Sequence, residues 1–220
     1  MSVYEALVDF VFPKECVGCG NEGEDLCLEC WRGMALATQI CPMCGKLSSD
    51  GWSHKRCKKK DGMEGLVAIW SHEDEIVRKV VGSIKYGFNR ELVRLLLDKC
   101  SWETGHVFDI IVPVPLYWYR ENWRGFNQAE LTGGYLATRI GVPLVKALER
   151  VKNTPQQARI KNKELRIKSV ENAFTTVLEV KNKKILLVDD VVTSGASMRE
   201  CAKELKKAGA KEVWGFVLAR

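Results

Sequence analysis

The chain has 220 residues, 46% of them hydrophobic, and a formal net charge of +6. That length suffices for one α/β domain of ordinary size with a small module beside it, and no apolar run approaches the roughly 20 residues that a membrane-spanning helix needs. Six of the nine cysteines fall in three Cys-x-x-Cys pairs; without a secretion signal, this usage fits a reducing, cytoplasmic setting and metal sites better than disulfides.

Met1–Phe12 carries acids at Glu5 and Asp9 and no basic stretch, so it is a poor signal peptide. Val3, Tyr4, Leu7, Val8 and Val11 have helical spacing, and the segment is expected as a short amphipathic helix packed on the protein.

Cys16-x-x-Cys19-Gly20 is followed by Cys27-x-x-Cys30, and Cys41-x-x-Cys44-Gly45 by His54-x-x-Cys57. Each pair can present two ligand atoms to one metal from a tight turn, and the glycine after the first pair permits the backbone of a zinc knuckle. Sequential pairing gives two structural zinc sites, Cys16, Cys19, Cys27, Cys30 and Cys41, Cys44, His54, Cys57. His54 has the alternative of being a surface histidine. With seven and nine residues between the pairs, neither loop has the apolar content to fold alone, so metal would supply the folding energy. Four protein ligands leave no position for water, which makes these zincs structural rather than catalytic. The basic residues around Cys57, Lys55 to Lys60, fit a solvated linker, with nucleic-acid phosphates as the functional alternative.

Gly65–Trp70 reads as a strand, and Ile76, Val77, Val80, Val81 and Ile84 mark a helix that Lys85-Tyr86-Gly87 closes. A second helix runs from Glu91 to about Cys100. Lys85 either points a charge at a site or complements its own helix dipole. Asp109–Pro115 is another apolar strand, with prolines where ladder hydrogen bonds stop. Tyr117–Gln128 is read as an arginine-rich loop at the ligand edge of the sheet, with Arg120 and Arg124 placed to neutralise an anionic group or simply solvated. A helix through Leu131, Leu136 and Ile140 stops at Gly141. Lys146–Lys168 carries eight basic and two acidic residues and is expected as helix and loop before a strand at Ala173–Val177. Its cations either line a groove for single-stranded DNA or keep the surface soluble, and no interleaved aromatics support base stacking there.

Ile185–Val188 is an apolar run expected to be buried on both faces, with Asp189 and Asp190 where the strand ends. Thr193, Ser194, Gly195, Ala196 and Ser197 then form a hydroxyl-rich turn into a helix bearing Met198, Cys201, Ala202 and Leu205 on one face, with Gly209 as its stop. Loop amides and a helix N-terminus attract an anion. Like charges repel, so the carboxylates suit sugar hydroxyls or a magnesium ion instead.

This stretch resembles the signature of type I phosphoribosyltransferases. Together with Pro113-Val114-Pro115-Leu116, Arg124-Gly125-Phe126-Asn127-Gln128, Gln156-Gln157-Ala158-Arg159 and Asn172-Ala173-Phe174, the chain resembles the ComF family, competence-associated and phosphoribosyltransferase-like with an N-terminal double zinc ribbon. It departs from that pattern at His54, where cysteine is usual, and at Ser197, where threonine is common. The resemblance implies an α/β fold: a type I phosphoribosyltransferase-like parallel sheet flanked by helices over residues 61–220, behind a helix and double zinc-ribbon module at 1–60. It implies that Asp189 and Asp190 hold the ribose of phosphoribosyl pyrophosphate, with magnesium, that residues 193–197 cradle the 5′-phosphate, and that Arg120 or Arg124 meets the pyrophosphate. Two functions follow. One is a phosphoribosyltransferase. The other is an adaptor of DNA uptake that binds single-stranded DNA or a helicase and only senses the ligand. No general base is apparent in the sequence.

Overall fold

The computed structural model describes residues 13–86, 89–100, 105–154 and 162–220. The expected helix at Met1–Phe12 and the motif Gln156–Arg159 lie outside the described residues.

Four strands form a parallel sheet: β1 (Gly65–Trp70), β2 (Ile110–Pro113), β5 (Lys184–Val191) and β6 (Glu212–Ala219), in the order β1-β6-β5-β2. A parallel sheet needs cover on both faces, and the period of two in β5 supplies it. Leu186 and Val188 join one core, with Ile111, Trp214, Phe216 and Leu218; Ile185 and Leu187 join the other, with Val112, Val213 and Val217. All four β5 residues are buried, each contributing about 1.5–3 kcal/mol.

The first face is covered by α2 (Glu75–Tyr86), α3 (Arg90–Lys99) and α5 (Gln128–Ile140). Val77, Val80, Val81 and Ile84 line the buried side of α2 at the helical period. Asn89 Oδ1 caps α3 by accepting from Leu92 N at 3.1 Å. The second face is covered by α7 (Ala196–Lys207), whose Met198, Cys201, Ala202 and Leu205 are buried. Beside α7 lie α6 (Lys163–Val170) and an antiparallel pair, β3 (Leu148–Arg150) with β4 (Phe174–Thr176).

Two expectations are corrected here. Tyr117–Gln128 is not a loop throughout, since Trp118–Arg124 forms α4. Lys146–Lys168 contains a strand, because Leu148 pairs with Thr176 and is buried with Phe174; tertiary pairing outweighs local propensity there. Several cations of that run have local partners: Lys146 Nζ lies 2.7 Å from Glu130, and Lys152 Nζ donates to the Glu171 carbonyl at 3.0 Å.

The cysteine-rich segment shares the core of the sheet. Cys16, Leu26, Cys30 and Met34 are buried in one cluster with Trp70, Val77 and Val80, and the short helix α1 (Leu28–Gly33) sets Trp31 edge-on to Trp70 at 5.5 Å. Residues 35–39 then run along the free edge of β1. Ala37 N donates to Ile69 O at 2.9 Å, and the Gln39 amide donates to Ala68 O at 2.7 Å and accepts from Ala68 N at 3.2 Å. This satisfies an edge that would otherwise present unpaired amides.

Candidate functional site

The two knuckles are built alike. Cys16 N donates to Asn21 O and Gly20 N to Cys16 O, at 2.8 and 2.7 Å; Cys41 N donates to Lys46 O and Gly45 N to Cys41 O, both at 2.9 Å. Isolated bridges Glu15↔Glu22 and Ile40↔Leu47 close the base of each turn. Gly20 and Gly45 have φ of +81° and +75°, the left-handed conformation expected of the position after a Cys-x-x-Cys.

In both groups, Cys16, Cys19, Cys27, Cys30 and Cys41, Cys44, His54, Cys57, the ligand atoms lie within 4.8 Å of one another. Cys19 and Cys27 sulfurs are 3.8 Å apart, which matches the edge of about 3.8 Å of a tetrahedron with zinc–sulfur bonds of about 2.3 Å. Cys44 Sγ and His54 Nδ1 are 3.4 Å apart, and His54 Nε2 lies 2.9 Å from the Leu47 carbonyl. Donation from Nε2 fixes the tautomer and leaves the Nδ1 lone pair for a metal, which a surface histidine has no need to do. Both groups thus fit a double zinc ribbon. Burial opposes ionisation of Cys16, but the amides of Cys27, Cys19 and Gly18 outweigh it and bring the thiol down to about 6. Cys41, opposed by burial in the same way, is brought down to about 7 by backbone donors. Cys30 and Cys57, in the same two groups, are pushed the other way, by burial first and then by their cysteine neighbours; thiolate is the form that binds metal.

At the C-terminal end of the sheet, β5 continues through the acidic pair to Val191, a little further than the apolar run alone suggests. Lys85, on the last turn of α2, reaches across the sheet end and sets Nζ 3.1 Å from Asp190 Oδ2. Lys85 thus directs its charge at Asp190, from the last turn of α2, where a cation also complements the helix dipole. Asp189 is pushed up to about 8, by burial first and by the neighbouring Asp190 second, with Lys85 acting in the opposite sense. Asp190 N donates to Asp189 Oδ1 and Val191 N to Asp190 Oδ1, at 2.9 and 2.6 Å, so the pair is held by its own backbone.

The turn that follows is open, with Thr193 exposed and Ser194, Gly195 and Ser197 half-buried. Gly195, at φ +70°, starts α7, whose first turn carries no acid. Ser194 Oγ accepts from Ala196 N at 3.3 Å. Arg199, one turn into α7, donates to the Pro42 carbonyl at 3.0 Å, inside the second knuckle. That knuckle therefore faces the turn across a cavity of about 520 Å³, whose lining includes Pro42, Met43, Thr193, Gly195, Arg166 and Arg199.

Arg120 and Arg124 fall in α4 at the far side of the β2 end, and their side chains lie outside the described residues. In Arg124–Gln128, Asn127 is structural: it is buried, its amide donates to Val114 O at 3.0 Å, and its Oδ1 caps α5 by accepting from Ala129 N at 3.0 Å. Sequence reasoning missed Arg199, Arg220 and His72 at this edge. His72 is half-buried and its pKa is lowered, by burial first and then by Lys85 and Arg78. Their one sequence signal is position, just past the ends of β1 and β6 or one turn into α7.

Residues 7–59 match the double zinc ribbon domain, and residues 128–220 the phosphoribosyl transferase domain. The chain is 30% identical to competence protein F of Haemophilus influenzae, over 94% of this chain and 98% of that protein. It is 32% identical to the DNA utilization protein YhgH of Salmonella typhimurium, over 89% of this chain and 90% of that one. Competence protein ComFC of Bacillus subtilis is 26% identical over 90% and 85%.

Proposed function

The chain belongs to the competence protein F family, and from that premise we propose that it binds phosphoribosyl pyrophosphate with magnesium at the end of β5 and transfers the phosphoribosyl group, with release of pyrophosphate, in the handling of imported DNA. One observation carries this reading: Asp189, Asp190 and the Lys85 ammonium meet at the mouth of an open, hydroxyl-rich turn on a helix N-terminus. The carboxylates accept hydrogen bonds from ribose hydroxyls. Amides and hydroxyls of residues 193–197 hold the 5′-phosphate. Arg120 or Arg124 meets the pyrophosphate.

Two adjacent carboxylates, one already paired with Lys85, suit magnesium, which keeps most of its waters and binds through one or two carboxylates and substrate phosphates. Its contribution when bound is to neutralise charge on the pyrophosphate. Cleavage at the anomeric carbon builds positive charge on the sugar, which the acidic pair stabilises electrostatically. Cys16, Cys19, Cys27, Cys30 and Cys41, Cys44, His54, Cys57 would hold two structural zinc ions, which would fix the ribbons of a module ending near residue 60. Among the described residues no helix is long and apolar enough to cross a membrane.

The test is calorimetry of phosphoribosyl pyrophosphate with and without magnesium. Wild type binds only with magnesium present. Asp190→Ala loses charged acceptors worth about 1.5–3 kcal/mol per hydrogen bond and binds at least tenfold more weakly. Equal binding by Asp190→Ala, or no binding by wild type, removes the proposal.

A second reading, an adaptor for single-stranded DNA or a helicase, is favoured by α4, where Trp118, Tyr119 and Trp123 are 61%, 60% and 66% exposed. Bases stack on such rings at about 1–3 kcal/mol each. Replacing Trp118 and Trp123 with alanine should then weaken binding of a single-stranded oligonucleotide without affecting the phosphoribosyl ligand.

A further inference from the structure

A larger cleft, about 950 Å³, opens from Thr193 past Arg220 to His72 at the end of β1, and the second ribbon forms its opposite wall through Lys46, His54 and Arg56. It is continuous with the cavity over the phosphate turn, since Val192, Thr193, Gly45 and Arg220 line both. A molecule in the cleft is therefore a neighbour of whatever sugar occupies the end of β5.

We propose that this cleft is the acceptor pocket, that the second zinc ribbon is its recognition wall, and that it takes an acceptor bearing a carboxylate or phosphate. The proposal rests on the phosphoribosyl-transfer reading above and names the substrate class of that same site.

Three observations support it. Among the charged side chains of the lining, the cations Lys46, Arg56 and Arg220 outnumber the one acid, Glu73. Arg220 is half-buried and anchored, with Nη1 donating to Thr38 O at 3.0 Å; a guanidinium has five N–H donors in a planar fork, the geometry that matches a carboxylate or phosphate. The ribbon wall is fixed rather than tethered. Ser53 N donates to Glu64 O at 2.8 Å, Ser53 Oγ to Met63 O at 2.6 Å, and Trp52 lies edge-on to Trp214 at 4.4 Å. With the Arg199–Pro42 and Gln39–Ala68 bonds, these hold the second ribbon along the length of the sheet, from the start of β1 and β6 to the turn before α7. A wall held this way keeps its charges in register with the sugar site, which is what selection of an acceptor requires.

The cations have a second use to be distinguished, because a Cys₃His zinc site carries net negative charge and exposed lysine or arginine beside it offsets that charge. The experiment separates the two. Binding of orotate against uracil, and of anthranilate against aniline, is measured on the full chain saturated with magnesium and phosphoribosyl pyrophosphate. The carboxylated member of at least one pair binds tenfold or more tightly than its uncharged counterpart. Charge reversal by Lys46→Glu with Arg56→Glu removes that preference, while zinc content and the affinity for phosphoribosyl pyrophosphate alone stay within twofold of wild type. If the double variant loses zinc, Lys46→Gln and Arg220→Gln are measured singly, and each is expected to reduce the preference at least threefold. The proposal is overturned if charged and uncharged probes bind alike, if neither binds while phosphoribosyl pyrophosphate does, or if the preference survives in zinc-loaded variants. Failure of phosphoribosyl pyrophosphate to bind, read in the same experiment without acceptor, overturns the parent reading and this one with it.

Discussion

Lys85 Nζ stands 3.1 Å from Asp190 Oδ2, with the two side chains 20% and 13% exposed. The pair joins the last turn of α2 to the end of β5 and sets one cation against two adjacent carboxylates. Its burial places it between exposed pairs, worth up to about 1 kcal/mol, and fully buried ones, whose disruption costs about 3–5 kcal/mol. Lys85→Met is therefore expected to destabilise the fold by about 1–3 kcal/mol in urea unfolding, in line with that bracket. Asp190→Asn in the Lys85→Met background should cost less than in wild type. A coupling energy below about 0.5 kcal/mol in that double-mutant cycle would show the contact to be incidental.

The raised pKa of Asp189 predicts a pH dependence. A carboxyl lifted from its ordinary range to about 8 favours the folded state most at low pH; that contribution is lost as pH rises from the usual carboxylate range through about 8. Ligand binding has the opposite sign, because ribose hydroxyls and magnesium need the ionised form. Affinity for phosphoribosyl pyrophosphate with magnesium should rise about fivefold between pH 7 and 8 and about tenfold in all by pH 9, where it levels off. Phosphate protonation, with a pKa near about 6, contributes little in that window. A flat profile from pH 7 to 9 would falsify the assignment of the proton to the acidic pair. In Asp189→Asn the rise should disappear along with most of the binding.

Metal content tests the ribbons. Protein purified without chelator should carry two zinc ions per chain, one for each ligand group. His54→Ala should hold one, while His54→Cys should restore the second, since thiolate also meets zinc in structural sites. Two zincs in His54→Ala would show that the contact between Cys44 and His54 is only a neighbour contact.

Much of this architecture was legible in the sequence, and what was not has a common cause. Gly65–Trp70 has the residue range read from its apolar run, and Ile185–Val188 is buried on both faces as its composition implies. The ligand groups follow from spacing alone. Hidden were relations between distant segments: the Lys85–Asp190 pair, the Arg199–Pro42 bond and the pairing of β3 with β4. Helix α4 was missed because its exposed Trp118, Tyr119 and Trp123 give no buried apolar stripe. Most consequential is the packing of the first ribbon. The sequence sets residues 1–60 apart as a module beside the α/β unit, whereas Cys16 and Cys30 share a cluster with Trp70 and Val77.

That shared core changes what losing a ligand does. A separate module would unfold alone and leave the α/β unit intact. Here Cys16→Ser should lower the stability of the whole chain, because loss of the metal loosens Leu26, Cys30 and Met34 against the sheet. Metal binding free energy in such sites is folding free energy. Calorimetry should show one cooperative transition at reduced temperature. A second transition at the wild-type temperature would mean that the two parts unfold independently.

Gly195 offers the most direct test of the phosphate turn. Its φ of +70° is one that a β-branched residue rarely adopts, at a cost of about 1–3 kcal/mol. A Cβ there would also lie 2.8 Å from Arg199 Nη1. The neighbour is the end of a flexible side chain, so it can yield, but yielding breaks its bond to Pro42 and frees the second knuckle from the turn. Gly195→Val should therefore lose stability by about 1–3 kcal/mol and bind phosphoribosyl pyrophosphate at least tenfold more weakly, because the added side chain fills the space where backbone amides approach the phosphate. Arg199→Met separates the two effects. It removes the bond to Pro42 but leaves the turn's glycine in place, so it should loosen the ribbon contact while keeping most of the ligand affinity. Full affinity in Gly195→Val, with the fold intact by circular dichroism, would place the phosphate elsewhere.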